Sequence, residues 1–411
     1  MSKSNEPAEH IHTVIIGAGQ AGLSMSYWLK HHGIEHILLE RARVGERWRS
    51  ERWDSLRFQF PSNFVRLPGF PYDGDTPDEF MHRDGIVRTM ERYAAYIRAP
   101  VRCGVPVRSV RPDGAGGYLV DLDSHTIAAR NVVLATGPYQ TPAIPGIARA
   151  LPQDLMQFTA NRYTNERQLP DGAVLVVGAG SSGYQIAEDL MEHGRAVFLA
   201  VGPHRRLPRR YRGRDIAFWM DESGMFDTLR ADVPKNQPTV LMSGYNGGEV
   251  SLQKLAARGV RLTGMMAGCE GQTLSFADDL EEHVAAGVEA SQNYKRSVDA
   301  YLEARGELAS APPAEPEEIE PDLPLAPTSL DLATENIRTV IWATGYRFDL
   351  EWVRECGVLD AGGAPVHTDG VSEQPGFYFL GLQHMRKVRS TFFWGVGDDA
   401  ELHAAHIATR G

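Results

Sequence analysis

Apolar residues along the chain fall in short runs that alternate with amphipathic stretches. Thr13-Val14-Ile15-Ile16 is a run of strand length, and it opens directly onto Gly17-Ala18-Gly19-Gln20-Ala21-Gly22. A helical stretch follows to His32, Gly33 stops it, and Ile37-Leu38-Leu39-Glu40 is a second strand. This order predicts a βαβ unit with a parallel sheet. The same pattern recurs further on. Val174-Leu175-Val176-Val177 leads into Gly178-Ala179-Gly180-Ser181-Ser182-Gly183, a helix runs to His193, Gly194 stops it, and Ala196-Val197-Phe198-Leu199 returns. In both copies the stopping glycine lies 16 positions after the first glycine of the turn, so one supersecondary unit is repeated.

Two further strand-like runs end in the same tripeptide. They are Val132-Val133-Leu134-Ala135-Thr136-Gly137 and Thr339-Val340-Ile341-Trp342-Ala343-Thr344-Gly345-Tyr346, and each is expected to return the chain between domains. Residues 278–305 read as a long helix with a polar face. Residues 311–326, APPAEPEEIEPDLPLA, have a composition that builds no packed core and read as a surface connection. The expected fold class is α/β: two Rossmann-like dinucleotide-binding domains, the second inserted into the first. The outer domain would comprise residues 1–165 and 327–411, and the inserted one residues 166–326 with a helical insertion.

Each Gly-rich turn follows an apolar strand and opens a helix, the context that gives G-x-G-x-x-G its meaning. The first glycine permits the tight turn, the second admits a pyrophosphate to the backbone, and the third lets helix and strand pack closely. The helix N-terminus supplies N–H groups and a positive dipole end. Candidate cofactor contacts are therefore Gly17, Gly19, Gln20, Ala21 and Gly22 in one unit, and Gly178, Gly180, Ser181, Ser182 and Gly183 in the other.

The two copies differ where specificity is set. Glu40, 23 positions after Gly17, can bond ribose hydroxyls, with Arg41 beside it; the matching residue of the second unit is Val201. Six arginines then fall within ten residues, at 205, 206, 209, 210, 212 and 214. A missing acid and added arginines suit a 2′-phosphate, hence NADPH over NADH, with Arg205 and Arg206 as candidate contacts.

Composition narrows the partners. The chain has 411 residues and a net charge of −11, which disfavours a nucleic-acid role. Its start, MSKSNEPAEH, is polar, and no run reaches the roughly 20 apolar residues of a membrane span. A cytoplasmic enzyme is expected, with a homodimer left open. Cys103, Cys269 and Cys356 form no C-x-x-C, so neither a redox dithiol nor a thiolate zinc site is read, and no metal is expected. His403 and His406 could share a helix face but have no cluster of ligands around them.

These motifs, with Gly45-Glu46-Arg47-Trp48-Arg49 and the Ala343-Thr344-Gly345-Tyr346 segment, resemble class B flavoprotein monooxygenases, a group of flavin-containing monooxygenases, Baeyer–Villiger enzymes and N-hydroxylases. Trp53-Asp54-Ser55-Leu56-Arg57, Leu67-Pro68-Gly69-Phe70-Pro71 and Gly395-Val396-Gly397-Asp398-Asp399-Ala400 resemble its short bacterial members, often labelled as cation-transport flavoproteins. The resemblance implies FAD on the first unit and NADPH on the second. It implies Ala135, Thr136, Gly137, Thr344 and Gly345 as further cofactor contacts. It also implies oxygen transfer from O2, through a flavin hydroperoxide, to a small soft nucleophile (N or S) or a carbonyl compound. One departure stands out: Thr159 occupies the place of the fingerprint histidine, four positions before Tyr163.

In such chemistry the cofactors carry the hard steps and the protein supplies position and a dry, hydrogen-bonding pocket. Counting back from Leu67-Pro68-Gly69-Phe70-Pro71, Gln59 falls at the position of a flavin-facing amide in relatives, with Asn63 as an alternative. Gln383 and Arg389 are expected on the flavin side. Trp48 either packs on a cofactor or belongs to the core, and Phe218-Trp219-Met220 and Phe392-Phe393-Trp394 are either pocket walls or core. Two alternatives stay open: a flavin reductase or NADPH oxidase that releases peroxide, and a non-catalytic redox sensor.

Overall fold

The computed structural model describes residues 9–234, 237–316 and 319–410. The polar start at residues 1–8 and Glu317-Glu318 of the acidic connection lie outside the described residues. Two sheets organise the chain. The first runs in the order Val101–Cys103, His36–Glu40, Glu9–Ile16, Thr126–Leu134, Tyr118–Leu122, Val107–Pro112. Its first four strands are parallel, and the remainder form an antiparallel meander. Phe377–Phe379 pairs parallel with the C-terminal half of Thr126–Leu134. The second sheet is wholly parallel, in the order Arg261–Thr263, Val197–Ala200, Ala173–Val177, Ile337–Trp342, Met156–Thr159.

The repeat is realised with the same local devices. Helices Gln20–His31 and Ser181–Glu192 end two residues before Gly33 and Gly194, which adopt φ of +67° and +77°. The chain then turns back, with Ile34 N donating to Leu29 O and Arg195 N to Leu190 O. A left-handed residue at this position satisfies late helical carbonyls at no steric cost to glycine. In both units the next strand is buried on both faces, as parallel strands between helices must be.

The expected domain boundaries need correction. Met156–Thr159 and Ile337–Trp342, placed by sequence in the outer unit, are hydrogen-bonded into the second sheet. Ile337–Trp342 is an interior strand of that sheet, between Ala173–Val177 and Met156–Thr159, and is almost wholly buried, so it needs cover on both faces and neighbours on both edges. The inserted region also does not keep to its own core. Ile216, Trp219 and Phe226, and Tyr294, Val298 and Leu302 of helix Leu280–Ala304, join the apolar cluster built on the first sheet.

The acidic connection is a strap rather than a free linker. Glu315 accepts from the backbone of Arg212 and Gly213, Glu320 binds Arg206 and Ser251, and Leu323 packs against the second unit's core. No helix among the described residues is long and apolar enough to cross a membrane.

Candidate active site

The two Gly-rich turns are built alike. Gly17 and Gly178 adopt φ of +108° and +106°, and a Cβ on either would lie 2.6 Å from a carbonyl oxygen, of Ala135 and Ala343 respectively. A Cβ on Gly22 or Gly183 would fall inside the van der Waals shell of the carbonyl of Gly17 or Gly178. Only glycine permits this approach of helix to strand. Each helix starts at a glycine, Gly19 or Gly180, with no side-chain cap, so the N–H groups of the first turn remain open to an anion.

At the first turn a Cβ on Gly19 would meet nothing within 4 Å, so the turn has room for a pyrophosphate. Glu40 is held there: Oε2 accepts from Ala18 N and Oε1 from Ala42 N, both at 3.0 Å. Arg41 is exposed and pairs with Glu51. The C-terminal segment closes on the helix start. Gln20 Nε2 donates to Thr391 O at 3.3 Å, and a Cβ on Gly381 would lie 2.7 Å from Ala21 Cβ. These residues fit a dinucleotide. The second turn is narrower, because strand Thr239–Leu241 lies against it. Ser181 Oγ donates to Val240 O at 3.0 Å, and Thr239 Oγ1 would lie 3.0 Å from a Cβ on Gly180. Ser182 follows, half-buried.

The two Ala-Thr-Gly ends meet at the junction of the units. Ala135 N donates to Ile16 O and Ala343 N to Val177 O, both at 2.9 Å, tying each end to its unit's first strand. Thr136 Oγ1 accepts from Gln140 Nε2, and Thr344 Oγ1 donates to Ala143 O. Gly137 and Gly345, at φ of +75° and +86°, have open space where a Cβ would stand. Between them Thr141–Pro142 pairs antiparallel with Tyr346–Arg347.

Tyr139 and Tyr346 meet edge to face there, with ring centroids 5.4 Å apart. Tyr139 is 39% exposed, yet burial raises its phenol pKa. Desolvation also raises Tyr346, and the charge of Arg52 opposes both shifts. The Arg52 guanidinium lies 5.6 Å over the Trp48 ring, and Trp48 in turn touches Phe58 and Phe393, each at 6.1 Å. Tyr139 and Arg52 went unread in the sequence. Their signal was proximity, to Gly137 for one and to Trp48 for the other.

Other expected site residues are placed differently. Gln59 lies between buried Phe58 and Phe60, its backbone carbonyl accepts from Arg209 Nη1 at 2.8 Å, and no hydrogen bond among the described residues engages its side-chain amide. Asn63 sits in the short turn Ser62–Phe64, its backbone N donating to Pro77 O. Gln383 is exposed, two residues beyond Gly381.

Arg389 is not a free flavin-side cation. Its Nη2 lies 2.9 Å from both Asp227 and Asp398, whose carboxylates neutralise it. Four of the six arginines in the run are held by carboxylates. Arg206 binds Glu320 at 2.6 Å and Glu249 at 3.5 Å, and Arg209, Arg212 and Arg214 bind Asp215, Asp299 and Glu222. Arg205 donates to Pro238 O, and its charge acts on His384 of the C-terminal segment. The aromatic clusters are mainly core: Trp219, Phe393 and Trp394 are buried, and Phe392 stacks on Trp394 at 4.7 Å. His403 and His406 are spent on Asp369 O and the Tyr378 hydroxyl.

Thr159 ends its strand with Oγ1 donating to Asn161 Oδ1 at 2.7 Å, and with Gln157, Phe158, Arg162 and Trp342 it lines a cavity of about 350 Å³. Tyr163 donates to buried Asp189 at 2.6 Å, and Ser55 Oγ donates to the other carboxylate oxygen at 2.6 Å. Burial and this carboxylate push the Tyr163 phenol far up, so it acts as a fixed donor joining both units.

Comparison with known proteins accords with this geometry. A family model described as pyridine nucleotide-disulphide oxidoreductase matches residues 14–214. An uncharacterized CzcO-like oxidoreductase of Geobacillus kaustophilus is 31% identical over 399 residues, covering 95% of this chain and 96% of its own. The chain belongs to the CzcO-like branch of the class B flavoprotein monooxygenases. The chain also shares 32% identity over 191 residues with the indole-3-pyruvate monooxygenase YUCCA1 of Oryza sativa, 46% of this chain and 47% of that one. A flavin-containing monooxygenase from Stenotrophomonas maltophilia has the same fold, with a TM-score of 0.68 at 18% identity over 98% of this chain and 99% of that one. The chain is a flavin-dependent oxidoreductase of the monooxygenase type.

Proposed function

We propose that this protein uses NADPH and O2 to place one oxygen atom on a small amine, thioether or carbonyl compound and releases the second as water. The balance is substrate, O2, NADPH and a proton going to oxygenated substrate, NADP⁺ and water. The observation that carries the reading is the pair of matched turns, whose Ala-Thr-Gly ends are joined by the pairing of Thr141–Pro142 with Tyr346–Arg347 beside the Tyr139–Tyr346 ring contact. The bound flavin supplies the redox chemistry.

The chain's own residues bind and orient. Open N–H groups at Gln20–Gly22 would hold the FAD pyrophosphate and Glu40 its ribose, and those at Ser181–Gly183 the NADPH pyrophosphate. The Gln59 amide is a donor at the flavin edge, with Gln383 at the other side. The packed rings of Phe58, Phe60, Phe392 and Trp394 keep water out. The units between these sites divide as an FAD-binding part and an inserted NADPH-binding part.

A second reading, an NADPH oxidase that releases peroxide, is favoured by Thr159, whose hydroxyl is spent on Asn161 in its own loop. Labelled ¹⁸O2 separates the two. The panel contains amines, thioethers, ketones and an α-keto acid, the last because a relative is an indole-3-pyruvate monooxygenase. One labelled oxygen per NADPH in any product supports the proposal. Stoichiometric peroxide with every compound overturns it.

A further inference from the structure

The cavity of about 350 Å³ that Thr159 lines lies at the carboxyl ends of two neighbouring strands, Met156–Thr159 and Ile337–Trp342, at one edge of the second sheet. Thr159 and Trp342 are the last residues of these strands and are register partners, so their side chains share one face of the sheet. Gln157 and Phe158 of the same strand, with Ile144, Arg162 and Gln168 from the flanking loops, complete the lining. In open parallel sheets the carboxyl ends of the strands are where ligands are received.

The polar side chains of this lining are bonded to the protein, with one exception. Trp342 Nε1 donates to Gln157 Oε1 at 2.9 Å, and Gln157 Nε2 donates to Ala148 O at 3.2 Å. Gln168 Oε1 accepts from Thr164 N at 3.0 Å and from Thr164 Oγ1 at 2.9 Å, while its Nε2 donates to Arg162 O at 2.9 Å. Thr159 Oγ1 is taken by Asn161. The exception is Arg162. Its backbone is fixed, with N donating to Thr159 O at 2.8 Å, but no hydrogen bond or ion pair engages its guanidinium among the described residues. Glu166, four positions on, pairs with Arg167 instead. No other charged residue lines the cavity among the described residues. The rest of the wall is apolar: half-buried Phe158, buried Trp342, and Ile144, which is 53% exposed.

We infer that this cavity is a binding site for a small aromatic carboxylic acid, with the ring against Phe158 and Ile144 and the carboxylate on Arg162. A planar guanidinium receives a carboxylate through two parallel N–H bonds, and the ring displaces water from the apolar wall. The volume is at the small end of the range for such sites and suits a compound with one ring. A side chain as large as histidine at position 159 would take up part of this space. The site is separate from the dinucleotide turns. Strand Ile337–Trp342 stands between Met156–Thr159 and Ala173–Val177, the strand that feeds the second Gly-rich turn, which sets cavity and turn two strand spacings apart, about 10 Å. The cavity also adjoins both passages of the chain between the sheets. Ile144 follows Ala143, whose carbonyl accepts from Thr344 Oγ1 at 2.6 Å, and Trp342 precedes Ala343. A bound acid therefore bears on both crossings.

The test is an NMR titration of FAD-loaded protein with 3-phenylpropanoate and with 3-phenylpropan-1-ol, which carries the same ring without the charge. The acid is expected to bind about tenfold more tightly than the alcohol, and Arg162→Gln to abolish that preference. Arg162 is exposed and its guanidinium makes no bond, so the fold of this variant should persist. Ile144→Asp, also at an exposed position, brings a carboxylate into the cavity and is expected to weaken the acid by about tenfold while the alcohol stays within about twofold. Equal binding of acid and alcohol by the parent, or binding of neither, overturns the inference. So does an Arg162→Gln variant that keeps its preference for the acid. Displacement of the acid by an equal concentration of nicotinamide mononucleotide overturns it as well, because the cavity then serves the coenzyme. Binding is read without turnover, so each outcome stands apart from the oxygen-transfer reading.

Discussion

Arg209 donates from Nη1 to the backbone carbonyl oxygen of Gln59 at 2.8 Å, while its Nη2 binds Asp215 at 2.5 Å. One buried guanidinium thus ties the inserted unit to the loop that presents Gln59, and stacks over Phe80 at 4.7 Å. Arg209→Ala leaves Asp215 buried and unpaired, a loss of about 3–5 kcal/mol. Thermal unfolding reads it, and adding Asp215→Asn should recover part of the loss. If the single variant melts with the parent, the clamp contributes nothing.

The third glycines separate the cofactors. Gly22→Ala pushes a methyl group into the Gly17 carbonyl and is expected to yield protein without visible flavin absorbance. Gly183→Ala meets the Gly178 carbonyl in the same way. That variant is expected to keep its flavin but fail to be reduced by NADPH in stopped-flow mixing. The reverse pattern would mean that the cofactors are exchanged between units.

Glu40→Gln replaces one acceptor oxygen with an NH2 that must face the N–H of Ala18 or Ala42. Loss of a charge-assisted bond costs roughly 1.5–3 kcal/mol, so FAD is expected to bind about 10–100-fold more weakly. Equilibrium dialysis of FAD measures the change.

Arg206→Ala should leave the NADPH/NADH ratio of flavin reduction rates as it is, because its guanidinium is held by Glu320 and Glu249. It should instead release the acidic strap and lower stability by roughly 2 kcal/mol. A collapse of the ratio would show that Arg206 leaves Glu320 to meet the 2′-phosphate.

His367 gives the fold an acid limit. Burial and the neighbouring Arg230 charge hold its pKa down at about 4, below its ordinary value of 6.5. The unfolded chain therefore binds a proton that the native ring refuses between those values. Stability from this group is complete above pH 6.5 and is lost as pH falls toward 4. Urea unfolding across that window should show a falling midpoint, and His367→Asn should flatten the slope.

Much of this protein was legible in the sequence because its signals are local. The glycine spacing, the apolar strands and the helix stops required only backbone sterics, and Glu40 against Val201 required only counting. What needed the tertiary structure was every question of partnership. Ile337–Trp342 reads as a strand anywhere, but only the assembled sheet makes it the neighbour of Ala173–Val177. Six arginines read as a phosphate site because charge is visible in sequence. The carboxylates that neutralise four of them come from as far along the chain as Asp299 and Glu320. The pairing of Arg389 was hidden for the same reason, since Asp227 lies far away in the chain. The sequence by itself determined the two dinucleotide units, because turn and helix geometry follow from neighbouring residues. Only the tertiary structure decided which charges remain free, because neutralisation is set by distance in space.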